Sequence, residues 1–172
     1  MKSKPVTRQF AEQRWIKPIY LLLLFIMGIS GFAQMPIFKR YYIADIPGLG
    51  WLAQFYVTHT IHYVGAILLV VLTTYMATVY LKLMRKRLAL TKSAYIRIAI
   101  LAAIMVTGFF RVLKNLPDTV FSPDFTVFID ISHLGFMMAL MVCGAVAIGV
   151  RCKWVKEIPS PPGTLSVSNA SI

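Results

Sequence analysis

The sequence predicts an all-α protein, a four-helix transmembrane bundle with both termini in the cytoplasm. Three observations predict it. Apolar residues make up 58% of the chain and charged residues 14%, against about 25% charged in an average soluble domain, and the mean hydropathy is +0.72. Four stretches have the ~20 apolar residues that a helix needs to cross a hydrocarbon core of about 30 Å. The basic residues behind the formal net charge of +12 fall unequally on the connections between those stretches. This composition excludes a water-soluble globule and a disordered chain. Nucleic-acid binding is the other usual meaning of such a charge, but basic clusters flanking apolar spans belong beside a bilayer.

In chain order, residues 1–17 form a basic cytoplasmic segment. The first span runs from about Pro18 to Ile37. It exceeds the ~7–15-residue core of a signal peptide and is followed by no small-residue cleavage site, so it reads as a retained anchor. The next connection carries Trp51, Phe55 and Tyr56, which suit the water–lipid boundary and predict a short interfacial helix. The second span covers about Phe55–Leu81, the third about Ala94–Val112 and the fourth about Phe125–Val150. The transmembrane domain thus occupies 18–152. The tail, 153–172, ends in a Pro/Ser/Gly-rich run and is expected to be disordered. The one trace of internal repetition is a faint echo, Ser30-Gly31-Phe32 against Thr107-Gly108-Phe109.

Fourteen of the eighteen basic residues lie in the N-terminal segment, the second connection and the tail. Only Lys39, Arg40, Arg111 and Lys114 lie on the opposite side, together with four of the six acids, Asp45, Asp118, Asp124 and Asp130. The Lys/Arg-rich side stays in the cytoplasm, which sets the orientation.

All three histidines, His59, His62 and His133, fall within apolar spans, where ionisable groups are costly and usually functional. Spans two and four run in the same direction, so depths can be compared by counting. Twenty residues separate His62 from Lys82 and eighteen separate His133 from Arg151; at about 1.5 Å per residue the two imidazoles lie within roughly 3 Å of one level. His59 misses that level by roughly 7–8 Å.

Two readings of this pair compete. Imidazoles at one depth on neighbouring helices can be the axial ligands, and the metal site, of one b-type haem (haem b). Gly28, Gly31, Gly65, Ala66 and Gly135 would then leave room for the ring, and Arg111 and Lys114 would neutralise its propionates. In the plainer reading the histidines hydrogen-bond within the protein or line a proton path, the glycines are ordinary packing positions, and Arg111 snorkels to the headgroups. His59 shares a face with His62 and reads as a supporting or quinone-site group. Cys143 reads as an apolar filler. With no C-x-x-C-H in the chain, covalent c-type haem is excluded.

The residues resemble a family: the four-helix cytochrome b subunits of membrane formate dehydrogenases and nickel–iron hydrogenases. Gln13-Arg14-Trp15-Ile16-Lys17 and Ser30-Gly31-Phe32 echo that family's first helix. Ile61-His62-Tyr63-Val64-Gly65 resembles its helix-two ligand site, and Ser132-His133-Leu134-Gly135 the outer ligand site of helix four. The chain departs from the pattern at Lys17 and at Val146-Ala147-Ile148, where the resemblance calls for the two inner-haem histidines. The resemblance therefore implies one retained haem, in the outer half of the bilayer.

By the same resemblance, the chain is expected to be a non-catalytic electron-transfer subunit in the inner (cytoplasmic) membrane of a bacterium. It would relay electrons between an iron–sulfur partner subunit and the quinone pool. His59 and Asp130, one turn outward from the ligands, are the proton-handling candidates beside a quinone. Arg85-Lys86-Arg87 is expected to touch anionic membrane lipid. The alternatives are a non-redox anchor, a small proton-coupled transport subunit, and a di-haem cytochrome completed by a partner chain.

Overall fold

The computed structural model describes residues 15–35 and 37–158. Four of its helices are long and apolar enough to cross a membrane: α1 (Ile16–Ala33), α2 (Phe55–Val79), α3 (Lys92–Leu113) and α4 (Pro123–Gly149). The all-α class and the four spans are as the sequence predicts, and the chain is a multi-pass membrane protein. A π-helical turn, Tyr80–Met84, prolongs α2.

Local chemistry explains the helix boundaries. Thr91 caps α3 by accepting the Ala94 N–H at 3.1 Å, and Ser122 caps α4 by accepting the Phe125 N–H at 3.3 Å. Pro123 follows as the first residue of α4, where its missing N–H costs nothing. The chain leaves α4 through Arg151 at φ 54°, and the Cys152 N–H reaches back to the Ala147 carbonyl at 2.8 Å. This reversal closes the helix end much as a left-handed C-terminal cap does.

The molecule divides into two compact units, one through Thr78 and one from Val79. In the first, α1 and α2 are joined by a single helical turn, Ile37–Arg40, and two 3-10 turns, Ile43–Asp45 and Gly50–Ala53. Several short turns thus stand where one interfacial helix was expected.

The second unit packs α3 against α4 and adds an element the sequence did not suggest. Strand β1 (Leu88–Leu90) pairs antiparallel with β2 (Val155–Glu157), placing Leu90 opposite Val155 and Leu88 opposite Glu157. Thr91 donates its hydroxyl to the Lys153 carbonyl at 2.8 Å and its N–H to the Trp154 carbonyl at 3.1 Å, and the Ile158 N–H reaches the Arg87 carbonyl. The expected disordered tail is therefore corrected for residues 153–158, which are ordered. Val155 and Ile158 are β-branched, Trp154 is bulky, and the α2–α3 connection offers them a strand edge. Positions 159–172 and the basic segment 1–14 lie outside the described residues.

Only 11% of the apolar window of each span is buried within the protein. Leu22, Phe25, Ile67, Val71, Phe109 and Ile131 are all exposed, as lipid-facing side chains must be in a chain whose solvent is the bilayer.

Candidate imidazole sites

In the first unit α2 turns one narrow face toward α1. Thr58, Gly65 and Leu69 are buried, and His62 lies on the same face, four residues after Thr58 and three before Gly65. The corresponding face of α1 carries Met27, Ser30, Gly31 and Gln34, also at helical spacing. Ser30 Oγ lies 3.0 Å from His62 Nδ1 and donates to the Met27 carbonyl at 3.3 Å. Ser30 is 1% exposed. A Cβ on Gly31 would stand 3.2 Å from His62 Cε1 and 3.6 Å from Nδ1. The ring thus lies almost on the α1 backbone, and glycine makes the approach possible.

The second unit repeats the arrangement with other residues. Thr107 Oγ1 lies 3.0 Å from His133 Nδ1 and donates to the Ala103 carbonyl at 2.8 Å, with the Ile104 carbonyl at 3.1 Å. A Cβ on Gly108 would stand 3.2 Å from His133 Cε1 and 3.7 Å from Nδ1. On α4 the buried Ile129 and Leu140 stand four residues before and seven after His133. On α2 the buried Thr58 and Leu69 stand at those same offsets from His62.

Each seat has one consequence for the ring it holds. A hydroxyl has a single proton and two acceptor lone pairs. Directed at a backbone carbonyl within its own helix, that proton leaves the oxygen to accept from Nδ1–H. An imidazole whose Nδ1–H is accepted in this way carries Nε2 as its basic nitrogen, the nitrogen that is left to ligate a metal. Each imidazole is set against a hydroxyl at Nδ1 and a glycine beneath Cε1. Among the described residues no group of three or more His, Cys, Asp or Glu is placed to hold a metal ion. A bare metal site wants about that many protein ligands, whereas a porphyrin brings four of its own donors and asks the protein for two. His62 and His133 are the residues whose donor chemistry would suit a haem.

The other expected site residues fall as follows. Gly31 is occupied by the His62 ring, and the Met27 sulfur stands 2.7 Å from where a Gly65 Cβ would be, so both glycines serve packing within the first unit. Positions 28 and 135 have open space at their Cβ sites. Asp130 is engaged by both expected propionate partners. Arg111 Nε lies 3.0 Å from Oδ1, and Lys114 Nζ lies 2.8 Å from Oδ1 and 2.6 Å from Oδ2. The trio carries one net positive charge. His59 stacks on Phe55 at 5.2 Å and 17° and meets Tyr63 in a tilted contact at 4.3 Å and 47°, forming an aromatic column along α2.

Sequence reasoning missed Ser30, Thr107 and Gly108 as functional positions. The signal was present in the echo of Ser30-Gly31-Phe32 in Thr107-Gly108-Phe109. Neither tripeptide says, however, that a histidine from the following helix will settle on it.

No protein-family model, no curated protein and no solved structure matches the chain.

Proposed function

We propose that the chain is a membrane electron-transfer subunit that holds one b-type haem through His62 and His133 and passes electrons between a partner redox subunit and quinone. The observation that carries this is the twofold occurrence of one imidazole seat, each with a hydroxyl 3.0 Å from Nδ1 and a glycine beneath the ring. The matched depth of the two histidines and the resemblance to cytochrome b subunits support it. When bound, the haem supplies one-electron chemistry. His62 and His133 would be the residues that hold it, by one imidazole each. The protein also bars water with apolar spans and sets iron's preference through the two rings.

Arg111, Lys114 and Asp130 belong to the outer end of the second unit. Their residual positive charge favours an anionic group such as a propionate. Asp130 already accepts from two cations, so holding them is its first task, and His59 in its aromatic column remains the proton-handling group for a quinone. The iron–sulfur or other redox partner carries the remaining cofactors. The location is the inner membrane of a bacterium, with the Arg85–Arg87 connection on anionic lipid.

A visible spectrum with haem-to-protein stoichiometry on the purified chain tests the proposal. One haem per chain, with a reduced b-type α-band that disappears in His62→Ala or His133→Ala, is the expected result. A colourless preparation from cells replete in haem overturns it and leaves an anchor or transport subunit. Two haems per assembled complex, with the second lost on removing the partner, would correct the stoichiometry to the di-haem form.

A further inference from the structure

We propose that Ser30 and Thr107 are the positioning residues of the two imidazoles, fixing each tautomer and ring plane and raising each ring's strength as a donor; the inference rests on the haem reading above. Two units with different loops and different sequences have arrived at the same construction. A hydroxyl lies 3.0 Å from Nδ1 in both, a glycine follows the hydroxyl residue in both, and the absent Cβ stands 3.2 Å from Cε1 in both. In each case the hydroxyl also donates to a carbonyl of its own helix.

The last detail gives the contact a direction. With its proton on that carbonyl, the hydroxyl would meet the Nδ1–H tautomer of the ring as an acceptor. An accepted Nδ1–H pushes electron density toward Nε2, and partners of this kind orient metal-bound histidines and raise their basicity. A more basic axial ring stabilises the ferric state over the ferrous, so each hydroxyl lowers the haem potential. The glycine has a separate task. It lets the ring lie close enough for the hydroxyl one residue away to reach Nδ1, and it restricts rotation of the ring about its Cβ–Cγ bond. Ser30 and Thr107 touch neither iron nor substrate; they act through the histidines.

The experiment uses the full-length chain, purified in detergent, as Ser30→Ala, Thr107→Val, the double variant, and the hydroxyl exchanges Ser30→Thr and Thr107→Ser. Haem stoichiometry, midpoint potential and the low-spin ferric EPR spectrum are read for each. Losing one hydroxyl should favour reduction by about tenfold in the equilibrium, an upward shift of about 59 mV for a one-electron couple. The EPR g-values should change, the double variant should shift further, and the exchanges should restore wild-type values. A merely structural role would alter stability and leave potential and g-values in place.

Potentials and g-values unchanged in haem-loaded Ser30→Ala and Thr107→Val overturn the inference while leaving the haem reading standing. A wild-type chain with no haem overturns the haem reading itself. If the hydroxyl-free variants lose haem altogether, the exchanges decide. Retention in Ser30→Thr and Thr107→Ser supports the hydroxyl's role, and loss in those variants as well overturns it.

Discussion

The two units are alike where the imidazole is held and unlike one turn away. Three residues before His62 stands His59, in an aromatic column with Phe55 and Tyr63. Three residues before His133 stands Asp130, clamped by Arg111 and Lys114. The facing helices differ in step. Gln34 stands three residues after Gly31, its amide nitrogen buried without a hydrogen-bond partner among the described residues, and Arg111 stands three after Gly108. A seat that recurs while its surroundings diverge is held by what the ring requires.

The sharpest way to break this comparison is to remove the rings. His62→Ala and His133→Ala are each expected to abolish haem binding, leaving less than about a tenth of the wild-type occupancy, since outer partners alone typically account for 10–100-fold and the ligands for more. Equal losses would support equivalent seats. Retention of a bis-imidazole spectrum in either variant would show that the units are not equivalent and that His59 or an added ligand serves in one of them.

Next in size are the glycines. A methyl group on Gly31 or Gly108 would press on a ring at 3.2 Å, tighter than most packed contacts, so the ring would have to give by a few tenths of an ångström. Overpacking of this kind typically costs about 1–3 kcal/mol. Gly31→Ala and Gly108→Ala are both expected to lower the thermal midpoint of the haem-loaded protein and to displace its Soret and EPR features. Gly28→Ala and Gly135→Ala, with open space at the new methyl, should be tolerated in the packing of the chain alone. If they nevertheless reduce haem occupancy, those open faces are where the ring lies.

The third test separates the units. Asp130→Asn leaves Arg111 and Lys114 without their shared carboxylate. The three side chains are 21–39% exposed, between a solvated pair worth under ~1 kcal/mol and a buried one worth ~3–5. A loss of about 1–2 kcal/mol is expected, read as a lower thermal midpoint at low ionic strength that salt reduces only in part. His59→Asn, at the matching place in the first unit, should leave that midpoint within about 0.5 kcal/mol while slowing quinone reduction. Equal destabilisation by both would mean that His59 is structural and would remove it as a proton-handling candidate.

The residues themselves show how much could be read beforehand. Four spans were legible because bilayer thickness fixes helix length, and no soluble alternative tolerates such runs. His62 and His133 stood out because imidazole is expensive in hydrocarbon. Ser30 and Thr107 did not, since a serine or threonine in a spanning helix ordinarily satisfies itself on its own backbone, as Thr60 does on the Tyr56 carbonyl at 2.8 Å. Only a partner from the next helix separates the two cases, and that partner lies 32 residues ahead in one unit and 26 in the other. The clamp on Asp130 was half legible. Arg111, Lys114 and Asp130 were each singled out, but as separate groups waiting for outside partners, because charge counting along a chain does not say which charges meet.

The pairing of 153–158 was invisible for a related reason. Compositional reasoning averaged this segment with the Pro/Ser-rich run that follows, whereas in the structure it is joined to β1 and to Arg97. That guanidinium is 7% exposed, donates through Nε to the Ser93 carbonyl at 3.2 Å and lies 3.9 Å from the centre of the Trp154 ring. A buried cation needs some compensation. The ring face supplies about 0.5–1 kcal/mol where exposed and ~2 where desolvated, and it ties β2 to the start of α3. Trp154→Ala is therefore expected to loosen the strand pair by about 1 kcal/mol and leave the spans intact. In limited proteolysis of the detergent-solubilised chain, cleavage after Lys153 and Lys156 should accelerate about fivefold when local opening controls the cut. Trp154→Phe, which keeps a weaker ring face, should fall between the two. Unchanged cleavage in Trp154→Ala would mean that the β1–β2 hydrogen bonds and the Thr91 contacts hold the segment unaided.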